Sequence, residues 1–307
     1  MMLQINNRNL FHRSNGDIIF KAVVSAKFYS SSSSSSSASS HRWLNRANSD
    51  HYTREAKAKN YRSRAAFKLL QINEKFKIFN NKVPMNVVDL GFAPGAWSQV
   101  AHDKTNIKSI ILGIDILPCK PIKGVSAMQA NILSKQTHEN IRKFFAEKVS
   151  SADEELINDF QSVEQKSYIE TELERNVTTN ENDSNIENGK YLDEKNKVVA
   201  LTRQPIDVVI SDMMSNTTGL AIRDHLMSMD LCDAALILAI DLLKPKGSFV
   251  CKFYTGKEDK LLEKRLSKVF SKVNRFKPDA CRLESKECYF VCLDKKKNVD
   301  KIEVFKN

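Results

Sequence analysis

The stretch Val87–Gln99, VVDLGFAPGAWSQ, constrains this chain more than any other. Apolar, β-branched residues ending on Asp89 read as a buried parallel strand. A tight turn follows, Gly91-Phe92-Ala93-Pro94-Gly95, and a helix begins near Ala96-Trp97. Small residues at such a strand-to-helix turn let backbone N–H groups approach a ligand at the positive end of a helix. The turn is neither GxGxxG nor a P-loop, because no Lys-Ser/Thr pair follows Gly95; a phosphate cradle is disfavoured.

Around this turn the sequence alternates strands and helices. Ser63–Phe76 reads as a helix with Ser63 as N-cap and Ala66, Leu69, Leu70 and Ile72 on its apolar face, Lys68 lying among them. Ser109–Leu117 is a second strand passing Asp115, an acid placed to accept both hydroxyls of a ribose. Val125–Ile132 is a third strand with Asn131 near its end, and Pro205–Met213 a fourth with Asp212 near its end. A helix follows from Thr217 and stops at Lys244-Pro245-Lys246-Gly247. Ser248–Tyr254 is then a strand that carries Lys252 among Phe, Val, Cys and Tyr, and an unpaired ammonium is costly to bury there. Lys260–Val273 reads as a basic amphipathic helix, and Glu284–Cys292 as a strand bearing Glu287, with Cys288, Phe290 and Cys292 on one face. This order predicts a doubly wound, mostly parallel α/β sheet, in which ligands sit over the strand carboxyl ends. Asp89, Asp115, Asp212 and Lys252 all fall at or near such ends.

The flanking segments have a different character. Residues 1–42 hold Arg8, Arg13, Lys21, Lys27 and Arg42 against the single acid Asp17 and include the run Ser30–Ser37. That composition reads as a mitochondrial transit peptide and linker, with a mature start near Ser30. Between 150 and 197 there are 13 Asp/Glu against 5 Lys/Arg and few apolar residues, the composition of a disordered acidic insertion. The rest of the chain is therefore more basic than the net charge of +11 indicates, which points to an anionic partner. Trp43–Lys59 is basic with the rings of Trp43, His51 and Tyr52 interspersed; it reads either as a segment lying along a phosphate backbone with rings available for stacking or as a solvated lead-in helix. No apolar run reaches the ~18–20 residues of a membrane span, so no membrane insertion is expected. The six cysteines form no CxxC pair; no metal site is expected, and Cys251, Cys288 and Cys292 read as reduced core thiols. From Asp294 the Lys/Asp-rich end, 295–307, reads as a frayed charged tail.

The motif D-L-G-x-x-P-G-x-W resembles the cofactor-binding turn of the FtsJ/RrmJ family of RNA ribose 2′-O-methyltransferases. SRAAFKL, SDM, CKFY and SKECYFV resemble further motifs of that family, in its order, from about Trp43 to Asp294. The resemblance implies a Rossmann-like class I fold with a seven-stranded sheet and helices on both faces, and S-adenosyl-L-methionine as cofactor. It implies a Lys-Asp-Lys-Glu tetrad at Lys68, Asp212, Lys252 and Glu287. It also implies cofactor contacts at Gly91, Pro94, Gly95, Ala96, Trp97, Asp115, Asn131 and Asp212. A ribose 2′-OH is a weak acid and needs a proton acceptor as the methyl transfers. A lysine accepts only as the neutral amine, the form that burial and a neighbouring cation favour. Lys252 is accordingly expected to accept the proton, Asp212 and Glu287 to orient the two lysines, and Lys68 to hold the 2′-OH or a phosphate. Three positions depart from the family pattern: Asn131 where an Asp is common, Met213-Met214-Ser215-Asn216 where SDM continues Ala-Pro-Asn, and Phe92, expected to narrow the cofactor rim. The mitochondrial branch of the family implies a uridine of large-subunit ribosomal RNA, free or in a pre-ribosomal particle, as substrate of a monomer in the matrix. The alternatives are a tRNA methyltransferase and an RNA-binding assembly factor whose catalysis is dispensable.

Overall fold

Strands β1 (Asn86–Leu90), β2 (Ile110–Asp115) and β4 (Ile206–Ser211) run parallel at the centre of the computed structural model, with β1 hydrogen-bonded to both neighbours. Each is nearly continuous in apolar residues because both of its faces are covered. Successive side chains go to opposite sides: Val87 joins one hydrophobic layer, Val88 and Leu90 the other. The structure describes residues 50–120, 122–148 and 204–306, all within one compact unit. The transit-peptide reading of 1–42, Trp43, and the acidic insertion at 150–197 lie outside the described residues.

The helices in chain order are α1 (His51–Ala58), α2 (Ala65–Phe76), α3 (Ala96–Lys104), α4 over 135–148, α5 (Ala221–Leu242), α6 (Asp259–Val269) and α7 (Lys301–Phe305). The sheet is completed by β3 (Ser126–Gln129), β5 (Leu243–Tyr254), β6 (Phe270–Phe276) and β7 (Glu287–Lys295), in the order β3-β2-β1-β4-β5-β7-β6. It is seven-stranded and mixed: β7 runs antiparallel to both β5 and β6, and the other pairings are parallel. One layer packs α2 and α3 on the sheet through Leu69, Ile72, Trp97 and Val100; the other packs α4, α5 and α6 through Phe145, Leu238 and Leu266. The doubly wound reading is borne out, with helices on both faces. Among the described residues no helix is long and apolar enough to cross a membrane.

Four local expectations are corrected. Ser63 is not the N-cap of α2; it lies one residue before the cap position, which Arg64 occupies, and its Oγ accepts the Ala65 N–H at 3.2 Å. Tyr52 is not an open ring: it is half-buried, its centroid 5.3 Å from that of Phe67. The helix read over Lys260–Val273 ends at Val269, and Phe270–Phe276 is an edge strand. Leu262, Leu266, Val269 and Val273 keep helical spacing, yet pairing with β7 takes the last of them. The charged tail is not frayed either. Lys295 is buried and donates to the carbonyls of Ile240 and Leu243 at 2.7 and 2.6 Å, capping α5, while Val304 of α7 is buried in the core.

Candidate active site

The strand order turns back between β1 and β4, the crevice where an open α/β sheet accepts a ligand. A cavity of about 650 Å³ lies there, lined by Gly91, Ala93, Asp115, Asn131, Asp212 and Lys252 together with Met214, Ser215 and Leu231. Gly91 has φ +78°, and a Cβ on it would stand 2.7 Å from Met213 Cγ; only glycine allows β1 to turn this close to the segment after β4. Gly95, at φ +106°, turns the chain into α3.

The two ends of this cavity differ chemically. Asp115 accepts Ala93 N–H through Oδ2 and Leu117 N–H through Oδ1, both at 2.9 Å. Each oxygen keeps a lone pair, so the carboxylate is fixed in place yet still able to take a diol. Asn131 Oδ1 accepts Leu133 N–H at 3.0 Å, which orients its amide and leaves the NH2 group as donor. Ser215 Oγ is buried without a hydrogen-bond partner. Pro94, Gly95, Ala96 and Trp97 do not line the cavity. Ala96 and Trp97 are buried beneath the turn, and the Trp97 indole donates to Ala65 O at 2.9 Å, tying α3 to α2. Phe92 does not narrow the rim: its ring is buried against Gly113 of β2, where a Cβ would lie 2.2 Å away.

A second cavity of about 540 Å³ contains all four of Lys68, Asp212, Lys252 and Glu287, with Arg64 and Arg282 at its margin. Asp212, Met214 and Lys252 line both cavities, so the two meet at that wall. Lys252 Nζ is 2.9 Å from Asp212 Oδ1 and 2.6 Å from Asp212 O. Lys68 Nζ bridges both oxygens of Glu287, at 2.9 and 3.0 Å. Burial works to lower Lys68, but Asp212 and Glu287 outweigh it and hold its ammonium above the ordinary lysine value. Burial likewise works to raise Asp212, and Lys252 and Lys68 outweigh it, leaving the carboxyl below its usual range.

Tyr289, absent from the sequence reading, also reaches the tetrad. Its hydroxyl donates to Asp212 Oδ1 at 2.9 Å, and its ring lies 5.7 Å from that of Trp97. Strand periodicity held the signal, since a residue two places after Glu287 shares its face. Met214, one of the departures from the family pattern, accepts the Tyr254 hydroxyl through its sulfur at 2.9 Å.

Residues 61–295 match the sequence profile of FtsJ-like methyltransferases. The chain is 47% identical to the mitochondrial rRNA methyltransferase 2 of Saccharomyces cerevisiae, over 88% of its own length and 92% of the relative's. It is 35% identical to the protein of the same name from Schizosaccharomyces pombe, covering 83% and 95%. Ribosomal RNA large subunit methyltransferase E of Rickettsia bellii is 34% identical, covering 84% and 90%. Among solved structures, a ribosomal RNA methyltransferase from Plasmodium falciparum has the same fold, with TM-score 0.50, 24% identity and coverage of 76% and 98%.

Proposed function

The chain belongs to the FtsJ-like methyltransferase family, and from that premise we propose that it methylates the ribose 2′-oxygen of a uridine in mitochondrial large-subunit ribosomal RNA, acting as a monomer in the matrix. The observation that carries this reading is the shared wall of Asp212, Met214 and Lys252 between a cofactor-sized cavity and a tetrad-lined one. The names of the yeast relatives support the mitochondrion and ribosomal RNA.

FtsJ-like methyltransferases use S-adenosyl-L-methionine, and the first cavity fits it. Its volume suits a nucleoside with an amino-acid arm, Gly91 leaves the turn open to close approach, and the unpartnered Ser215 Oγ awaits a polar group. Asp115 would hold the ribose hydroxyls, Asn131 the adenine edge, and Asp212 the methionine arm, with Gly91 and Ala93 of the turn alongside. Bound there, the sulfonium supplies an electrophilic methyl with a built-in leaving group.

The protein's task is then to aim and deprotonate the attacking oxygen. As a neutral amine, Lys252 can spend its two hydrogens on Oδ1 and O of Asp212, which directs its lone pair to a substrate hydroxyl. With Lys252 neutral, Tyr289 and Lys68 remain to favour the Asp212 carboxylate. Lys68, held as ammonium by Glu287 and Asp212, supplies a fixed positive charge for the 2′-oxygen or an adjoining phosphate. Asn131 fits as a neutral substitute for the more common Asp because its donor group and remaining carbonyl lone pair both face adenine chemistry.

Ribose-methylation mapping of mitochondrial ribosomal RNA in cells carrying Lys252→Ala tests the proposal. Loss of one large-subunit 2′-O-methyl uridine, with the variant still folded and imported, is expected. An unchanged map would redirect the assignment to tRNA.

A further inference from the structure

A third concavity, about 510 Å³, opens on the other side of the segment leading into β7 and shares Glu284, Ser285 and Glu287 with the tetrad cavity. Its remaining wall holds Thr255 at the end of β5, Arg275 and Lys277 at the end of β6, and Leu283 and Lys286. None of these cations takes part in either lysine–carboxylate pair.

The partition between the two cavities is a held turn. Ser285 N–H donates to Arg282 O at 3.1 Å, Thr255 N–H to Lys286 O at 2.9 Å, and Lys277 Nζ to Ser285 O at 2.8 Å. Arg275 is fixed between Asp259, at 3.0 Å, and the Phe253 ring, 5.1 Å from its centroid. Lys286 is exposed, and Leu283 is 96% exposed on the partition itself. Lys277, already held in place, loses little freedom when it meets an anion, and the exposed Lys286 is open to one. An aliphatic side chain set among them suits a ligand that is both anionic and flat-faced.

Resting on the proposed action on RNA, we propose that this cavity seats the nucleotide adjoining the methylated ribose. Lys277 and Lys286 would meet its phosphodiesters, Leu283 would lie against its base, and Glu284 would accept from a ribose hydroxyl or exocyclic amine. The strand would thus cross the Arg282–Lys286 turn with neighbouring nucleotides on either side. Single strands are held by a cationic track with side chains packed on the base faces, most strongly aromatic ones; here the packing group is the aliphatic Leu283.

The test compares the full chain with Lys277→Gln/Lys286→Gln, with Leu283→Ala, and with a charge-matched control, Lys272→Gln/Lys296→Gln, at the far end of the β6–β7 pair. The probe is a fluorescent mixed-sequence single-stranded RNA of about 12 nucleotides, titrated over a range of salt concentrations. The first double variant should bind several-fold more weakly, with a log–log salt slope shallower by about 1.4, at about 0.7 per lost phosphate contact. Leu283→Ala should weaken binding with the slope unchanged, and the control should match the parent. Equal losses in both double variants, or none in the first, would overturn the assignment. Calorimetric binding of S-adenosylhomocysteine reports that each variant is folded. Methyl transfer by the unaltered chain is scored separately, so failure to methylate ribosomal RNA would sink the functional proposal while the RNA-affinity comparison still judged this cavity.

Discussion

Two acids at the carboxyl ends of neighbouring strands, Asp212 half-buried and Asp89 buried, show how residue environment divides labour. Asp212 is kept ionised by two lysines and a tyrosine hydroxyl. Replacing Tyr289 with Phe removes one hydrogen bond to a charged group, worth about 1.5–3 kcal/mol. We expect kcat/KM for methyl transfer to fall roughly ten- to hundredfold while S-adenosylhomocysteine still binds; unchanged kinetics would remove Tyr289 from the site. Asp89 has the opposite fate. Burial pushes its carboxyl up to about 7; among the described residues Ser98 answers it at 2.7 Å and Oδ1 has no hydrogen-bond partner. Between about pH 4 and 7 the folded state therefore keeps a proton that the unfolded chain has released, so stability falls as pH rises through that window. At about 1.4 kcal/mol per unit, the rise from 3.8 to about 7 costs on the order of 4 kcal/mol. Asp89→Asn should lack this slope in denaturation measured at pH 4.5 and 7.5, and an identical slope in both proteins would refute the argument. Asp212 titrates below this window and does not mask it.

At the scale of elements, the glycine turn depends on a partner in the next strand. Phe92 is buried only because Gly113 of β2 offers a bare backbone for its ring. Gly113→Ala should therefore destabilise by several kcal/mol through overpacking, and Phe92→Ala by about 3–5 kcal/mol through a cavity. The double variant should be more stable than the sum of the two losses, because each change relieves the other. Additive losses in a denaturant-melt cycle would show that the two residues are not in contact. Element identity follows the same logic. Helical spacing over Lys260–Val273 misled because Leu262, Leu266 and Val269 are truly helical, whereas Phe270–Phe276 is decided by hydrogen bonds to β7, far along the chain. Lys295 likewise reads as part of a charged tail until the α5 carbonyls beside it are located.

Across the whole molecule, the candidate site is drawn from position 68 on α2, position 212 just past β4, position 252 on β5 and position 287 on β7, brought together by the sheet. All of them lie outside the acidic stretch 150–197. Replacing that stretch with a short Gly/Ser linker should leave S-adenosylhomocysteine binding and methyl transfer in place; lost transfer with intact binding would mean the stretch helps to engage RNA. The doubly wound order and the glycine turn were legible in the chain alone, because each is encoded by a local pattern, strand periodicity or a turn that tolerates only small residues; positions 68, 212, 252 and 287 came as what the family resemblance implies. Tertiary structure alone decided that Lys68 pairs with Glu287 and Lys252 with Asp212, that Tyr289 joins them, that Phe92 faces inward and that β6 is a strand. Those outcomes depend on which distant backbone or side chain lies alongside, and contacts of that kind leave no periodicity in the chain that makes them.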